Sequence, residues 1–408
     1  MAEEALKGLK ILDLTQGIAG PTCTRILAGF GAEVIKIEKP REGDPARHMG
    51  PFLNDEPGTE RSGLFLYLNN NKKSITLNLK SKTGRELFRD MAKDADAVIE
   101  SYKPGTMSRL GLSYKALEKI NPRLVMTSIS SFGQTGPYKD YKLTHLIAWG
   151  MSGGRFAHCD PPGTRPVLGG GWLTHYLAGI FGVNGTIAAL FYRNATGTGQ
   201  QVDVSILESI IAITEYPTVI YSFIAQGVVP RYATQTKEVP YGYGRTPLGI
   251  VPCKDGYIGV NALTLTQWQM ICTYFGMPEL AEDPRFITMR DTSEHLEEAR
   301  AILGPRVMER EKMELFEAGS EWRIPFGLIP TTQDILESPQ HKARGFLDEV
   351  EHPVIGKVTI PGAPFKLMES PWQHKAPAPL LGQHNEEVYG KLGFSKADIV
   401  KFHEQGVI

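Results

Sequence analysis

Short apolar runs alternate with amphipathic segments through the first third of the chain. The run Lys10–Leu14 leads into a glycine-containing turn, and an apolar stretch from Cys23 to Phe30 closes at Gly31. A second apolar run, Ala32–Glu38, follows directly. A buried strand, a helix and another strand within about 30 residues form a βαβ unit, which predicts a parallel sheet.

The same pattern recurs further along the chain. Ser74–Leu79 alternates like a strand, Gly84–Lys93 has the spacing of an amphipathic helix, and Ala97–Glu100 reads as the next strand. A short helix that ends near Leu117–Ile120 precedes another strand at Val125–Ile129. The first half of the chain therefore predicts an α/β fold with an open, Rossmann-like sheet.

The second half carries longer apolar segments. Residues 176–193 predict one long buried helix whose glycines allow close packing, and residues 203–226 predict a further pair of apolar helices. Asp255-Gly256 between two apolar runs predicts a β-hairpin, and residues 265–320 predict helices. The last helix is expected at Asn385–Leu392.

These elements predict two domains, which is also what a chain of 408 residues favours. We expect a large Rossmann-like domain formed by residues 1–225 and 326–408, and a small α+β domain formed by residues 226–325. No apolar run reaches the length of a confident membrane span, so a membrane protein is not expected.

Composition narrows the range of functions. The formal net charge of −1 gives no basic surface for nucleic acid or an anionic membrane. The four cysteines are widely spaced and the ten histidines form no ligand cluster, so neither disulfides nor a metal site is predicted. The N-terminus lacks the apolar core of a signal peptide, and we expect a cytoplasmic protein.

An ordered set of motifs extends over nearly the whole chain and resembles the class III CoA-transferase family, also called the CaiB/BaiF or formyl-CoA transferase family. The motifs are Leu9–Asp13 with Ala19-Gly20-Pro21, Gly31–Glu38, Asn71-Lys72-Lys73-Ser74, Val98–Pro104 with Leu110-Gly111, Ile120–Leu124, Ser131-Phe132-Gly133, Gly136-Pro137, Ser152-Gly153-Gly154, the segment Gly163–Gly179, Thr196–Gln200, Asp255-Gly256 and Leu381–Asn385. The resemblance implies a Rossmann-like large domain with a smaller domain, in a dimer of two protomers threaded as interlocked rings. Family members move CoA between carboxylic acids or isomerise acyl-CoA thioesters. The ligand implied is therefore CoA or an acyl-CoA as substrate, with no permanently bound cofactor.

The resemblance also assigns residues to the CoA ligand. Cationic groups suit the phosphates of CoA, and Lys39, Lys80 and Arg109 fall on family positions near the adenosine and its phosphates. The neighbouring adenine and pantetheine contacts are implied for Leu77, Ser101, Tyr102 and Leu110. The turn at Gly17 and Ile18 should bring backbone close to the ligand. Without the resemblance, each cation would be read as an ordinary solvated surface charge.

One position departs from the family pattern. His175 stands where the family has an aspartate that attacks the acyl-CoA. That carboxylate becomes a mixed anhydride and then an enzyme-bound CoA thioester, and an imidazole cannot form such a thioester. His145 and Met49 also replace family residues, an aspartate and a tryptophan respectively. Asp160 and Asp203 are the nearby carboxylates, and Asp203 is expected to be structural.

Three functions remain open at this stage. The first is the non-nucleophilic subunit of a heteromeric transferase, as in the family members of anaerobic toluene degradation that move CoA from succinyl-CoA to benzylsuccinate. It requires a paralogous partner subunit with the aspartate, and His175 would then be an inactive core histidine. The second is a homomeric acyl-CoA racemase or isomerase in which His175 transfers a proton. The third is a CoA-binding scaffold without chemistry.

Overall fold

The computed structural model describes residues 4–152, 168–213, 249–262, 264–288, 291–292 and 295–408. The chain divides into two compact units. The first unit comprises residues 1–152, 168–214 and 342–408, and the second comprises residues 153–167 and 215–341. Asp160, one of the two carboxylates that lie near His175 in the sequence, is outside the described residues.

A six-stranded parallel sheet forms the centre of the first unit. Its strand order is β3-β2-β1-β4-β5-β6, which is the order of the Rossmann fold. The strands are β1 (Lys10–Leu14), β2 (Glu33–Glu38), β3 (Lys72–Thr76), β4 (Ala97–Glu100), β5 (Val125–Ser130) and β6 (Gln201–Ser205). The predicted α/β class is confirmed. The start of the predicted helix pair at residue 203 is wrong, because residues 201–205 pair with β5 along the sheet edge.

Helices flank this sheet. They are α1 (Ala19–Gly29), α2 (Gly63–Asn69), α3 (Lys82–Lys93), α4 (Thr106–Arg109), α5 (Tyr114–Leu117), α6 (His145–Met151), α7 (Leu173–Thr196) and α8 (Ile206–Ile213). By length and composition α7 could cross a membrane, but it packs against α1 and β5 as a core helix does. A Cβ atom at Gly179 would lie 2.5 Å from the carbonyl oxygen of Ala19, so the predicted glycine-mediated packing of this helix is confirmed.

Alternate residues of the strands supply two hydrophobic cores, one on each face of the sheet. Leu12, Ile35 and Ile75 lie in the core that α3 covers, while Ile11 and Val34 lie in the core that α1 and α7 cover. This period of two is the geometry of a strand buried on both faces. Both cores therefore fix the strand ends that carry the site described below.

The C-terminal part of the first unit adds a hairpin and two helices. The hairpin consists of β10 (Leu347–His352) and β11 (Gly356–Pro361), which follow α13 (Pro339–Ala343). The predicted helix at 385–392 is present as α14 (Asn385–Lys391), but it is not the last one. A further helix, α15 (Lys396–Glu404), begins at a capping box between Ser395 and Asp398.

The second unit contains a three-stranded antiparallel sheet of β7 (Gly249–Cys253), β8 (Gly256–Val260) and β9 (Phe326–Leu328), and helices α9 (Leu265–Tyr274), α10 (Leu296–Met308), α11 (Lys312–Trp322) and α12 (Thr332–Glu337). The predicted hairpin at Asp255-Gly256 is confirmed. The predicted domain boundary at 325/326 would cut β9 away from β8, with which it pairs, so these strands place the boundary further along the chain. The remaining limits of the predicted domains stay a prediction.

Candidate active site

A cavity of about 610 Å³ opens at the carboxyl edge of the parallel sheet. It lies beside β1 and β4, which are neighbours at the centre of the sheet. The following strands are added outward from β1 on one side and outward from β4 on the other. Open α/β sheets bind their ligands at this switch point, because the loops after the two strands diverge and leave a crevice. Its lining includes Gly17, Ile18, Met49, Ser101, Tyr102, Lys103, Lys139, Asp140, Tyr141, Lys142, Trp172 and His175. Five residues expected from the resemblance therefore meet here: Gly17, Ile18, Ser101, Tyr102 and His175.

The turn after β1 is held by hydrogen bonds from two other loops. Gly17 has a φ of 71°, which glycine adopts without strain. Its backbone N–H donates to Asp44 Oδ1 at 2.9 Å, and the N–H of Gln16 donates to the Ser101 hydroxyl at 2.8 Å. Ser101 thus ties the loop after β4 to the loop after β1. The turn is therefore a fixed edge of the cavity, and its contact with CoA stays a prediction.

His175 lies in the first turn of α7, where its half-buried ring lines the cavity. Its Nδ1 atom is 3.1 Å from the hydroxyl of Thr174. Burial lowers the pKa of His175 to about 4, and His145 contributes in the same direction. The positive end of the helix dipole also disfavours a cation there. His175 is therefore a neutral imidazole at pH 7.

His145 is the second imidazole of the site and is 4 % exposed. Its Nδ1 atom is 2.8 Å from the Thr174 hydroxyl, and its Nε2 atom is 3.0 Å from the carbonyl oxygen of Gly169. Thr174, with no exposed surface, thus bridges the two imidazoles. The sequence identified His145 as a departure from the family pattern but gave no sign that it joins His175 through Thr174.

The three cations expected at CoA lie outside the cavity lining, in exposed positions after strands β2, β3 and β4. Lys39 pairs with Glu42 at 2.6 Å. The hydrogen bond from Lys39 lowers the pKa of the Glu42 carboxylate, and the charge of Lys80 makes a smaller contribution in the same direction. Arg109 ends α4 and donates from Nη2 to the Thr106 hydroxyl at 2.9 Å. The structure therefore pairs Lys39 with Glu42 and leaves Arg109 on a different loop.

The two leucines expected at the adenine and pantetheine are core residues. Leu77 is 3 % exposed and belongs to the core under α3, and Leu110 packs against the same core. Their side chains support the loops after β3 and β4. They are not brought together with His175 in the cavity.

Three cavity lysines escaped the sequence analysis. Lys103 follows the β4 loop residue Tyr102, and Lys139 and Lys142 lie in the loop after Gly136-Pro137. Lys103 is 3.6 Å from Asp140, the carboxylate among the described lining residues. The sequence signal that could have identified these lysines is their position within or just after the family motifs Val98–Pro104 and Gly136-Pro137. They give the cavity a cationic wall that suits an anionic ligand.

The other nearby carboxylates have separate surroundings. Asp203 accepts the backbone N–H of Gln134 at 2.9 Å and does not line this cavity, in keeping with the structural role expected for it. Glu100 ends β4 and lines an adjacent cavity of about 460 Å³. Burial raises the pKa of Glu100 to about 7, although Ser128 and the Tyr102 N–H donate hydrogen bonds to its carboxylate.

The fold and the cationic crevice define an α/β protein with a small-molecule site at the sheet edge. Residues 6–385 match the model of CoA-transferase family III. The chain belongs to this family, whose members use CoA thioesters as substrates.

Several relatives share nearly the whole chain. The formyl-CoA:oxalate CoA-transferase of Rhodopseudomonas palustris is 32% identical over 99% of this chain and 97% of its own length. The succinyl-CoA:glutarate CoA-transferase of Mus musculus is 34% identical over 99% of this chain and 90% of its own length. Among solved structures, a CaiB/BaiF family protein from Brucella suis superposes with a TM-score of 0.84, at 28% identity, over 96% of this chain and 100% of that one.

Proposed function

We propose that this chain is the non-nucleophilic subunit of a heteromeric class III CoA-transferase. The reaction is the transfer of CoA between succinyl-CoA and an aryl-substituted carboxylic acid such as benzylsuccinate. The observation that carries the proposal is His175, which lines the switch-point cavity with a neutral imidazole. At that place the family mechanism needs a carboxylate.

The chemistry of transfer explains why a second chain is needed. A carboxylate attacks the donor thioester, releases CoA thiolate and forms a mixed anhydride, which the thiolate then converts into an enzyme-bound thioester. An imidazole can accept an acyl group, but it offers no acyl carbon to which CoA could become attached. In this proposal a paralogous subunit supplies the aspartate, and the two chains assemble as interlocked rings.

Two features of the described cavity support an anionic, aryl-bearing ligand. Lys103, Lys139 and Lys142 supply positive charge for carboxylates and phosphates. Tyr141 and Trp172 line the same cavity, and both aromatic side chains are exposed enough to contact a ligand. Aromatic rings pack favourably against an aryl group.

The test is CoA transfer from succinyl-CoA to benzylsuccinate by this chain alone, by the aspartate-bearing paralogue alone and by the mixture. The proposal expects transfer only in the mixture, together with a complex that contains both chains. The matched control replaces the paralogue's nucleophilic aspartate by asparagine, which should abolish transfer by the mixture. Full transfer by this chain alone would overturn the proposal.

A second candidate function is favoured by one specific observation. The Nδ1 atom of His175 is engaged by Thr174, and among the described residues its Nε2 atom has no hydrogen-bond partner. A neutral imidazole held in this way is suited to proton transfer, as in an acyl-CoA racemase or isomerase. Exchange of the α-hydrogens of propionyl-CoA in D₂O, catalysed by this chain alone and lost in His175→Gln, would favour this function. A chain that binds CoA but gives neither exchange nor transfer, with or without the paralogue, would be a scaffold.

A further inference from the structure

Two hydrogen bonds connect the cavity to a buried imidazole, and a third holds that imidazole on its far side. They run from His175 Nδ1 to the Thr174 hydroxyl at 3.1 Å, from that hydroxyl to His145 Nδ1 at 2.8 Å, and from His145 Nε2 to the carbonyl oxygen of Gly169 at 3.0 Å. Thr174 and His145 are both buried. The chain of contacts is closed at one end by a backbone carbonyl, while at the other end the His175 ring faces the cavity.

The Gly169 carbonyl fixes which atom donates and which accepts in each of these three hydrogen bonds. A carbonyl oxygen only accepts, so His145 Nε2 carries a hydrogen. With a neutral His145, its Nδ1 must accept, and the Thr174 hydroxyl therefore donates to it. The Thr174 oxygen then accepts from His175 Nδ1–H, which leaves the Nε2 lone pair of His175 directed away from Thr174 and free to accept a proton.

Protonation of His145 reverses the donor and acceptor roles in the two hydrogen bonds of Thr174. A charged His145 donates from both nitrogens, so Thr174 must accept from it and donate its own hydrogen to His175 Nδ1. His175 then carries its hydrogen on Nε2. The tautomer of the exposed imidazole is thus set by the charge of the buried one.

We propose that His175, Thr174 and His145 form a proton relay in which His175 takes up the proton and His145 carries the charge. A proton leaves a donor bound in the cavity, such as the α-carbon of an acyl-CoA, and bonds to His175 Nε2, while the donor keeps the electron pair. The His175 Nδ1 proton moves to the Thr174 oxygen, and the Thr174 hydroxyl proton moves to His145 Nδ1. The products are a neutral His175 with its hydrogen on Nε2, an unchanged threonine hydroxyl and a His145 imidazolium, and the reverse sequence returns the proton.

Burial disfavours a positive charge on either ring, and His145 is the more buried of the two. Two other features favour His145 as the charged end. Its Nε2–H bond to the Gly169 carbonyl strengthens when the ring is charged. His175 instead shares the lining of the cavity with Lys103, Lys139 and Lys142, with Asp140 paired to Lys103, so the cavity on its side is already cationic. Both rings begin helices, so the helix dipoles do not distinguish them. The aromatic neighbours Trp149 and Trp172 carry no charge.

For its use in turnover this inference rests on the second function proposed above, but the hydrogen-bond chain can be tested without turnover. The experiment records ¹⁵N chemical shifts of the whole chain labelled at its histidine rings, at about pH 8, where an ordinary imidazole is neutral. His145→Gln and His175→Gln assign the signals. We expect hydrogen on His175 Nδ1 with a bare Nε2, and hydrogen on His145 Nε2 with a bare Nδ1.

Two threonine variants make the test specific. Thr174→Val removes the bridging hydroxyl and should no longer hold the His175 hydrogen on Nδ1, whereas Thr174→Ser should keep it there. The matched control is Thr186→Val on the same helix, because Thr186 is also buried but bonds to Thr127 at 2.7 Å and lies outside this hydrogen-bond network. The two histidine tautomers should be unchanged in this control.

A His175 with hydrogen on Nε2, or a His145 with hydrogen on Nδ1, would overturn the proposal. The wild-type spectrum decides both points, so the test does not depend on the folding of Thr174→Val. The expected tautomers without α-hydrogen exchange would reject the isomerase function and leave the relay standing.

Discussion

Asp44 joins the ligand-facing turn to a buried charge, because its Oδ1 accepts the backbone N–H of Gly17 at 2.9 Å. Its other oxygen lies 2.7 Å from Lys36 Nζ, and neither side chain of this pair is more than 1% exposed. The turn that borders the cavity is therefore anchored on a desolvated ion pair. Such a pair stabilises only while both partners are present, since removal of one leaves a buried charge uncompensated.

Asp44→Ala should accordingly lower the free energy of unfolding by about 3–5 kcal/mol. Glu42→Ala is the control, because Glu42 is 66% exposed in its pair with Lys39 and surface pairs contribute about 0–1 kcal/mol. Urea denaturation followed by circular dichroism measures both. Equal shifts of the two denaturation midpoints would mean that the Lys36 charge finds another partner when Asp44 is absent.

Glu100 should make the stability depend on pH. Burial raises the pKa of Glu100 to about 7 in the folded chain from 4.5 in its ordinary state. Between these pH values the unfolded chain releases a proton that the folded chain keeps, so the free energy of unfolding falls as pH rises and is level above pH 7. The size of the loss is about 3 kcal/mol, because each pKa unit corresponds to about 1.4 kcal/mol.

Glu100→Gln removes this titration while its amide oxygen can still accept the Tyr102 N–H. The variant should therefore be more stable than the wild type above pH 7 by up to about 3 kcal/mol and differ little near pH 4.5. Glu86→Gln, on the exposed side of α3, provides the comparison and should show no such change. If Glu100→Gln changed the free energy of unfolding by the same amount at both pH values, the effect would come from packing and not from titration.

The sequence predicted the elements whose burial leaves a clear pattern of apolar residues. β1 and β4 are mostly apolar because both faces of a central parallel strand are covered. β6 was missed because Gln201–Ser205 is an edge strand whose polar residues interrupt the run before the apolar α8. α15 was missed as well, although Ser395 and Asp398 form a recognisable capping box, because the helix has no buried residue to mark its inner face.

The site was predictable where it follows the strand ends. Gly17, Ser101 and Tyr102 come directly after β1 and β4, and parallel strands bring such residues together at one edge. The bridge from His145 through Thr174 was not predictable. It joins residues 29 positions apart, and it depends on how the start of α7 meets α6, which no local pattern encodes.

Lys80 and Arg109 remain proposed CoA contacts, and alanine substitutions test them. Each should weaken CoA binding about 10-fold, since a charge-assisted hydrogen bond contributes about 1.5 kcal/mol or more. Lys82→Ala is the control, because this lysine is 86% exposed on the neighbouring helix. Calorimetry with CoA and with dephospho-CoA makes the assignment specific, as a residue that contacts the 3′-phosphate loses its effect with dephospho-CoA. Unchanged affinity in both variants would place the CoA phosphates elsewhere.

His175→Asp tests whether this position lacks only its nucleophile. The turn at Gly17 and Ile18 and the cavity lysines are in place, so an introduced carboxylate should face the same ligand. We expect His175→Asp, incubated alone with succinyl-CoA, to form a covalent CoA thioester that intact-protein mass spectrometry detects and hydroxylamine removes. His175→Asn has nearly the same shape without a nucleophilic oxygen and should form none, like the wild type. If His175→Asp binds CoA by calorimetry but forms no adduct, the start of α7 does not present its side chain to the thioester, and the nucleophile of a family reaction would have to be sought at another carboxylate of this chain.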